Sequence, residues 1–264
     1  MAEGVKSAER VLDVLELLAD RPQGLTFNEV REALGLPKSS AYALLQTLTA
    51  RRFLSLDPTT RRYAVGLRTW QAGQSYSPLS DLQRAALPRL EAVRDALDET
   101  VQLAVLDGTE NVYVAKVDSE QKLFLASRVG ARLPAYATGL GKALLSGLDD
   151  DEVRRRFAEV AFRQFTPATI GDVDRLVTEL AAVRRRGYAT DRGEYTAGVS
   201  CVAVPVREAA GTVCAAMSVS VPQVRMTPAL RRTALSVLAE QATRLCETLG
   251  GPAPAGGFRE AGRG

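Results

Sequence analysis

The apolar residues of the first third of the chain repeat at the spacing of short amphipathic helices. One set predicts a helix over residues 7–19 with Ser7 as its N-cap, and its members are Val11, Leu12, Leu15 and Leu18. A second set repeats at i, i+3, i+4 and i+7 over residues 38–51, and its members are Ala41, Leu44, Leu45 and Leu48. Each stripe should face a core.

The residues between these two stripes predict another helix and a tight turn. Thr26 and Glu29 have the spacing of a capping box, in which each side chain satisfies a free N–H of the first turn, so a helix should run from Thr26 to about Leu34. Gly35 suits the left-handed residue that closes a helix, and Pro37 can open the next one. The pattern is that of a helix-turn-helix.

A basic hairpin should follow the second helix of this pair. Residues 53–56 and 62–65 are predicted strands on either side of the turn-forming residues 57–60. Two helices followed by a hairpin are the arrangement of a winged helix-turn-helix, a domain that binds DNA.

The outward side of the second helix carries short or hydrogen-bonding side chains instead of the Glu and Lys of an ordinary solvated helix. A helix in the major groove needs short groups that reach base edges and hydroxyls that reach phosphates. We therefore predict DNA contacts from Ser39, Ser40, Tyr42, Ala43, Gln46 and Thr47.

Positive charge is concentrated in the same segment. Residues 38–68 carry six cations against one anion, Asp57, which gives +5, whereas the whole chain has a net charge of +3. The alternative is a solvated basic surface, but the coincidence with the helix-turn-helix favours phosphate binding. The predicted phosphate contacts are Lys38, Arg51, Arg52, Arg61 and Arg62.

After the hairpin, the pattern predicts a junction and a second domain. A short helix over 67–72 precedes a run of turn formers at 74–78, and a connector helix over 79–97 should kink or restart at Pro88. The predicted divisions are a DNA-binding domain at 1–73, a connector at 74–98, a second domain at 99–250 and a disordered tail at 251–264.

From Val101 the apolar period changes to two, which indicates strands. A hairpin should join 102–106 to 111–117 through 107–110, and 122–127 is a candidate strand. Later strands are predicted at 199–206 and 212–221, and helices at 138–146, 149–157, 172–186 and 227–249. The second domain is therefore α+β or α/β with a mostly antiparallel sheet.

The two late strands should have one bulky face and one small face. The bulky face carries Val202, Val204, Val206, Met217, Val219 and Val221, and the small face carries Cys201, Ala203, Cys214, Ala216, Ser218 and Ser220. Small residues leave room either for a ligand or for a closely packed helix, and the strands alone do not decide between them.

The amino-acid composition limits which classes of protein and which kinds of site we expect. The 264 residues, 46% apolar and 25% charged, suit about two globular domains, and we expect a cytoplasmic protein because no apolar run reaches membrane-spanning length and no signal peptide is evident. Three cysteines without CxxC spacing predict reduced thiols and no structural metal site. The chain has no histidine, P-loop or GxGxxG motif, so we expect no enzyme, no catalytic residues and no cofactor.

Six motifs in order make the chain resemble the IclR family of bacterial transcriptional regulators over residues 7–250. They are Ser7-Ala8-Glu9-Arg10, Gly35-Leu36-Pro37-Lys38-Ser39, Arg62-Tyr63 with Val65-Gly66, Pro134 with Gly141-Lys142-Ala143-Leu144-Leu145, Arg186-Gly187-Tyr188, and Gly198-Val199-Ser200-Cys201-Val202-Ala203. The resemblance implies a winged helix-turn-helix, a linker helix used in dimerisation and a GAF-like domain that binds a small effector.

The resemblance also implies partners and an effector site. The partners would be an operator in double-stranded DNA, a small-molecule effector, and a second copy of the chain, with a dimer of dimers as the larger assembly. The effector positions it implies are Gly139, Leu140, Asp191, Val199, Cys201, Ser218 and Ser220. Apolar walls are expected from Leu123, Leu125, Leu133 and Tyr136, which favours a small or aromatic carboxylate.

Several positions allow a second interpretation or depart from the family. Asp191 can cap a turn with Gly193, and Cys201 can be a small core residue or, less simply, a nucleophile. The second domain can also serve oligomerisation alone. Ala43 stands where relatives usually carry Arg, and Arg52 where a turn glycine is common.

Overall fold

The computed structural model describes residues 5–75, 77–121 and 128–253, and the chain divides into two compact units between Ser80 and Asp81. The candidate strand at 122–127 and most of the predicted tail, 254–264, lie outside the described residues. None of the helices in the described ranges is long and apolar enough to cross a membrane.

The first unit has the predicted winged helix-turn-helix order. Its elements are α1 (Lys6–Ala19), β1 (Leu25–Thr26), α2 (Phe27–Ala33), α3 (Lys38–Ala50), β2 (Leu54–Leu56), β3 (Arg62–Val65) and α4 (Leu67–Gln74). β3 lies between β1 and β2 in a small antiparallel sheet, with Leu25 opposite Tyr63 and Leu54 opposite Val65. Strand β1 has only two residues, which are too few for an alternating pattern of apolar and polar side chains to be recognised in the sequence.

Local signals set the turn of the helix-turn-helix. Thr26 caps α2 and the capping box is confirmed, because the Thr26 N–H donates to Glu29 at 2.7 Å and the Glu29 N–H donates to the Thr26 hydroxyl. Gly35 has the expected left-handed backbone, with φ +59°. The Ser7 cap was wrong: Ser7 lies inside the first turn of α1, whose N-cap is Val5.

The core of the first unit contains most of the two predicted apolar stripes, but Leu12 was wrong as a core residue: it is 57% exposed, and Val14 is buried instead. Residues of α1, α2, α3 and β2 meet there, and the buried members are Val14, Leu18, Val30, Leu45, Leu48 and Leu54. Because α3 directs this stripe inward, its opposite side faces solvent.

The helix α5 (Ser77–Leu97) runs from the end of the first unit into the second. Pro88 lies inside this helix and does not end it. Of the two predicted alternatives, a new helix starting at Pro88 is therefore wrong. Leu82, Ala86, Leu90 and Val93 form its buried side.

The second unit is built on an antiparallel sheet. Its strands are β4 (Thr100–Asp107), β5 (Glu110–Val117), β6 (Arg132–Pro134), β7 (Ala189–Arg192), β8 (Val199–Arg207) and β9 (Val213–Pro222). Their order is β6-β5-β4-β9-β8-β7, which places the short, unpredicted strands β6 and β7 at the edges. The helices are α6 (Gly139–Leu145), α7 (Asp150–Phe157), α8 (Val173–Arg186) and α9 (Pro228–Thr248), all close to their predicted bounds.

Both interpretations of the small face hold, at different ends of the strands. Near its middle, Ala203 and Ala216 pack directly against Leu140, Ala143 and Leu144 of α6, so small residues here admit a helix. At the Cys201 end the same face borders a cavity. The bulky face packs on the other side, where α9 contacts β8 and β9.

Candidate functional site

Helix α3 presents its short side chains to solvent. Lys38, Ser39, Ala43, Gln46 and Thr47 are exposed, and Ser40 is half-buried. The Thr47 hydroxyl donates to the Ala43 carbonyl at 2.8 Å, so its oxygen can still accept a hydrogen bond.

Tyr42 lies on the same helix and is 59% exposed, an unusual state for an aromatic ring. Its ring lies on a flank of the face formed by the short side chains, where it adds apolar area and one hydroxyl. The exposed part of α3 therefore has the shape and chemistry needed to enter a groove.

Three arginines at the end of α3 and in the wing are free of internal ion pairs. Within the described part of the chain, no carboxylate pairs with Arg51, Arg52 or Arg61, and all three are exposed. Arg51 and Arg52 line one cleft with Arg68 of α4. Arg52 has φ +62°, a left-handed backbone conformation that favours glycine.

Arg62 differs from the other cations of the segment. Its guanidinium donates to the Gly24 carbonyl at 2.8 Å and to Glu29 at 3.2 Å. Backbone and side-chain hydrogen bonds from Thr26, with a smaller contribution from Arg62, lower the pKa of Glu29. Arg62 therefore ties the wing to α2, and its charge is offset by an acid that lies before the segment we counted.

In the second unit, a cavity of about 250 Å³ lies between the start of α6 and the open end of the small face. Its walls combine apolar side chains with hydroxyl, amide and carboxyl groups. The lining residues are Gln102, Tyr113, Ala131, Leu133, Thr138, Gly139, Leu140, Asp191, Tyr195, Thr196, Val199, Cys201 and Ser220. None of these lining residues is Lys or Arg.

The structure brings most of the expected effector residues together around this cavity. Of the seven positions, Gly139, Leu140, Asp191, Val199, Cys201 and Ser220 line it. Ser218 does not. Ser218 is fully buried opposite Ala203, two residues along the strands from the pair formed by Ser220 and Cys201. Its hydroxyl donates to Gln102.

The expected apolar walls are only partly found. Leu133 lines the cavity, while Leu123 and Leu125 lie outside the described residues. Tyr136 was wrong as a wall: its ring packs with Phe157 and Phe162 in a separate aromatic cluster, and its hydroxyl donates to the Arg163 carbonyl.

Six lining residues were missed by the sequence analysis: Gln102, Tyr113, Ala131, Thr138, Tyr195 and Thr196. Gln102 had a detectable signal, because it is a polar residue within an apolar strand. It lies opposite Ser218 of β9, and its side-chain oxygen accepts hydrogen bonds from Ser218 and Ser220.

The start of α6 is held close to the sheet and presents two backbone donors. Thr138 caps the helix by accepting from the Gly141 N–H at 2.9 Å and donates to Asn111 at 2.7 Å. The N–H groups of Gly139 and Leu140 have no acceptor among the described residues, as expected for the first two helical positions. A Cβ at Gly141 would stand 2.2 Å from the Ala135 carbonyl oxygen, so only glycine allows this contact.

Two acids and one lysine dominate the electrostatics beside the cavity. Lys142 is 1% exposed, and its Nζ donates to both carboxylate oxygens of Glu194 at 2.6 and 2.7 Å. Asp191 accepts from the Glu194 N–H at 2.7 Å, and burial raises the pKa of Asp191 to about 6. The turn-capping role of Asp191 and its place in the cavity wall therefore coexist.

Cys201 is a buried thiol. Burial, with a smaller contribution from Asp191, raises its pKa to about 12. At neutral pH the thiol is protonated, which disfavours nucleophilic chemistry.

Two family profiles match this chain, and together they cover both units. The profile for the bacterial transcriptional regulator IclR C-terminal region matches residues 74–247, and the IclR helix-turn-helix domain matches residues 7–58. The HTH-type transcriptional regulator XynR of Escherichia coli is 32% identical over 249 residues, which is 94% of this chain and 99% of that protein. BhcR of Paracoccus denitrificans is 33% identical over 241 residues, 91% of this chain and 86% of that protein.

Solved structures show the same architecture. An IclR transcriptional regulator from Alicyclobacillus acidocaldarius has a TM-score of 0.80 at 28% identity, covering 94% of this chain and 100% of that one. An IclR homologue from Microbacterium hydrocarbonoxydans, complexed with 4-hydroxybenzoate, has a TM-score of 0.82 at 26% identity, covering 92% of this chain and 98% of that one.

Proposed function

The chain belongs to the IclR family of transcriptional regulators, and from this premise we propose which of its residues contact operator DNA and which class of small molecule it binds. It is a helix-turn-helix regulator with a C-terminal effector-binding domain, so its partners are operator DNA and a small molecule. Its relatives are regulators rather than enzymes.

The observation that carries the DNA proposal is the exposed, short-chained face of α3 beside unpaired arginines. We propose that Ser39, Ala43 and Gln46 approach base edges in the major groove, because short side chains allow a helix to lie deep in it. Arg51, Arg52 and Arg61 then contact phosphates, which positions the helix without reading sequence.

Operator affinity should fall steeply with salt, because each phosphate contact releases counterions. On a duplex selected from a random-sequence library, replacing both Arg51 and Arg52 by Ala should weaken binding to all sequences. It should also make the slope of log affinity against log salt shallower by about one for each arginine that no longer neutralises a phosphate. Fluorescence anisotropy at several salt concentrations measures both quantities.

Gln46→Ala is the matched control for this experiment. Gln46 is exposed on the same helix but uncharged, so its removal should change the preference among sequences and leave the salt slope unaltered. If the two arginines can be removed with no change in slope, their role as phosphate contacts is wrong.

We propose that the effector is a small carboxylate, aromatic or hydroxylated, held in the cavity beside Asp191. A volume of about 250 Å³ suits a ligand of this size, and Leu133, Leu140 and Val199 offer apolar contact. The free N–H groups of Gly139 and Leu140 can donate to a carboxylate. The structural relative bound to 4-hydroxybenzoate makes this class a reasonable first choice.

Binding of such a carboxylate should be pH-dependent, because the cavity wall offers no Lys or Arg and Asp191 is acidic. Protonated Asp191 can donate to the ligand, whereas ionised Asp191 repels it. With a pKa of about 6 for Asp191, affinity should be greatest below about pH 6 and be about tenfold lower by about pH 7. Calorimetric titration with 4-hydroxybenzoate across this range measures the trend.

Two controls separate Asp191 from the other ionisable side chains near the cavity, which include Glu194, Lys142 and Cys201. Asp191→Asn should flatten the pH profile, because the amide cannot ionise. The neutral amide of the same aromatic acid should bind wild-type protein without a pH trend. A profile that survives Asp191→Asn would assign the effect to another group.

The alternative of a C-terminal domain that only oligomerises predicts no ligand. A panel of small carboxylates scored by thermal shift tests it, since a ligand at 100 times its Kd stabilises the folded state by about 2.7 kcal/mol. The presence of a polar and apolar cavity favours effector binding. Cys201→Ala should keep the effector response, because the buried thiol has a raised pKa and we propose no covalent role for it.

We further propose that the chain acts as a homodimer on a two-fold operator at the cytoplasmic nucleoid, and that two dimers can associate. Two copies of α3 would meet half-sites about one helical turn or a multiple of it apart. Analytical ultracentrifugation with and without operator gives the stoichiometry. A monomer that binds a single half-site with full affinity would contradict the dimer.

A further inference from the structure

A second cleft lies behind the effector cavity, on the opposite face of strands β7 and β8. Its volume is about 150 Å³. Arg192 lies opposite Ser200 and Thr190 opposite Val202 in the ladder, so these four side chains share the face that Asp191 and Cys201 do not use for the cavity. Gln223 and Arg231 close the cleft from the segment that leads into α9 and from α9 itself.

The cleft carries two positive charges and no acid. The guanidinium groups of Arg192 and Arg231 have no hydrogen-bonding or ion-pair partner within the described part of the chain, and none of the residues lining the cleft is Asp or Glu. Several other arginines of this unit are paired: Arg225 contacts Glu99 at 2.6 Å and Arg186 contacts Glu179 at 2.7 Å. Two unpaired guanidinium groups that border one cleft repel each other, and an anion bound in that cleft would offset the repulsion.

The start of α9 adds to this positive potential. Helix α9 is 21 residues long, and its first turn contains no acidic residue. Arg231 therefore stands near the positive end of a long helix dipole, where a cation is unfavourable and an anion favourable. An anion in the cleft would interact favourably with both guanidinium groups and with the helix end.

We propose that this cleft binds a small dianionic oxyanion, either inorganic phosphate or the phosphate group of a metabolite, held between Arg192 and Arg231. Guanidinium groups match phosphate oxygens in pairs. Thr190 and Gln223 supply neutral hydrogen-bonding groups on the same walls. The proposal does not depend on the identity of the effector, because the two sites use opposite faces of the strands.

The cleft is physically linked to the cavity. The Ser200 hydroxyl donates to the Asp191 carbonyl at 3.1 Å, and Arg192 follows Asp191 directly in β7. An anion bound by Arg192 would therefore restrain strands β7 and β8. Asp191 of β7 and Cys201 of β8, which are adjacent in the chain to Arg192 and Ser200, line the effector cavity.

Calorimetric titration of the full-length protein at constant ionic strength tests the proposal, with inorganic phosphate in one arm and glycerol phosphate in the other. Saturable binding is expected in at least one arm, and Arg192→Gln and Arg231→Gln should each weaken it at least tenfold. Arg232→Gln is the matched control, because Arg232 is the adjacent residue, exposed and outside the cleft. It should bind as the wild type does.

The two arms distinguish the source of the phosphate. Saturation by inorganic phosphate indicates the free ion, and saturation by glycerol phosphate alone indicates a phosphorylated metabolite. The proposal is overturned if neither arm saturates, or if both cleft variants bind as tightly as Arg232→Gln. The latter result would assign the binding to other cations, such as the arginines of the winged domain.

Discussion

Replacing Lys142 by Met should destabilise the C-terminal unit by about 3–5 kcal/mol. The variant leaves Glu194 as a buried charge without its partner, and the wild-type ammonium contacts both oxygens of that carboxylate. The volume of the side chain is nearly conserved, so the loss reports the charge rather than a cavity. Urea unfolding of the full-length protein, followed by circular dichroism, measures it.

Two further variants make this result specific. Removing both charges, with Lys142→Met and Glu194→Met together, should recover most of the lost stability, because a neutral buried pair has no uncompensated charge. Arg244→Met removes one partner of an exposed pair with Glu240, and should change stability by less than about 1 kcal/mol. A Lys142→Met loss no larger than that of Arg244→Met would show that the buried pair is energetically unimportant.

Ala43→Glu should lower operator affinity at least about 100-fold, which corresponds to about 2.7 kcal/mol. Ala43 is exposed at the centre of the face that we propose enters the groove. A carboxylate there would be desolvated beside base edges and repelled by two rows of phosphates. Glu is a good helix former, so α3 itself should remain folded.

Ala210→Glu is the matched control, since it makes the same exchange at an exposed position of the turn between β8 and β9. It adds the same charge far along the chain from the helix-turn-helix and should change affinity little. Both variants should have wild-type circular dichroism. Equal affinities for the two variants would mean that α3 does not face DNA through Ala43.

Much of the fold could be predicted because local signals mark it. The capping box at Thr26 and Glu29 set the start of α2, and side-chain caps at Thr138, Asp149 and Asp172 begin the helices that the apolar pattern predicted. The missed strands β1, β6 and β7 have two to four residues each, too few for an alternating pattern to stand out. They exist because a neighbouring strand supplies their hydrogen bonds.

The candidate sites show where local reasoning ends. Gln102 reaches the cavity of the second unit because its strand pairs with a strand more than one hundred residues later, and no local pattern contains that register. Counting charges within one segment missed the contact of Arg62 with Glu29, which precedes the segment. Lys142 would be expected on a surface, but its partner is 52 residues away in sequence. Long-range pairs of this kind follow from tertiary packing alone.

Arg52 holds a backbone conformation, φ +62°, that is unfavourable by about 1 kcal/mol for any residue with a Cβ and nearly free for glycine. At this turn the residue with the least backbone strain would carry no charge, whereas the residue that is present carries the strain and supplies a cation that we propose contacts a phosphate. Backbone stability and positive charge are therefore opposed at this one position.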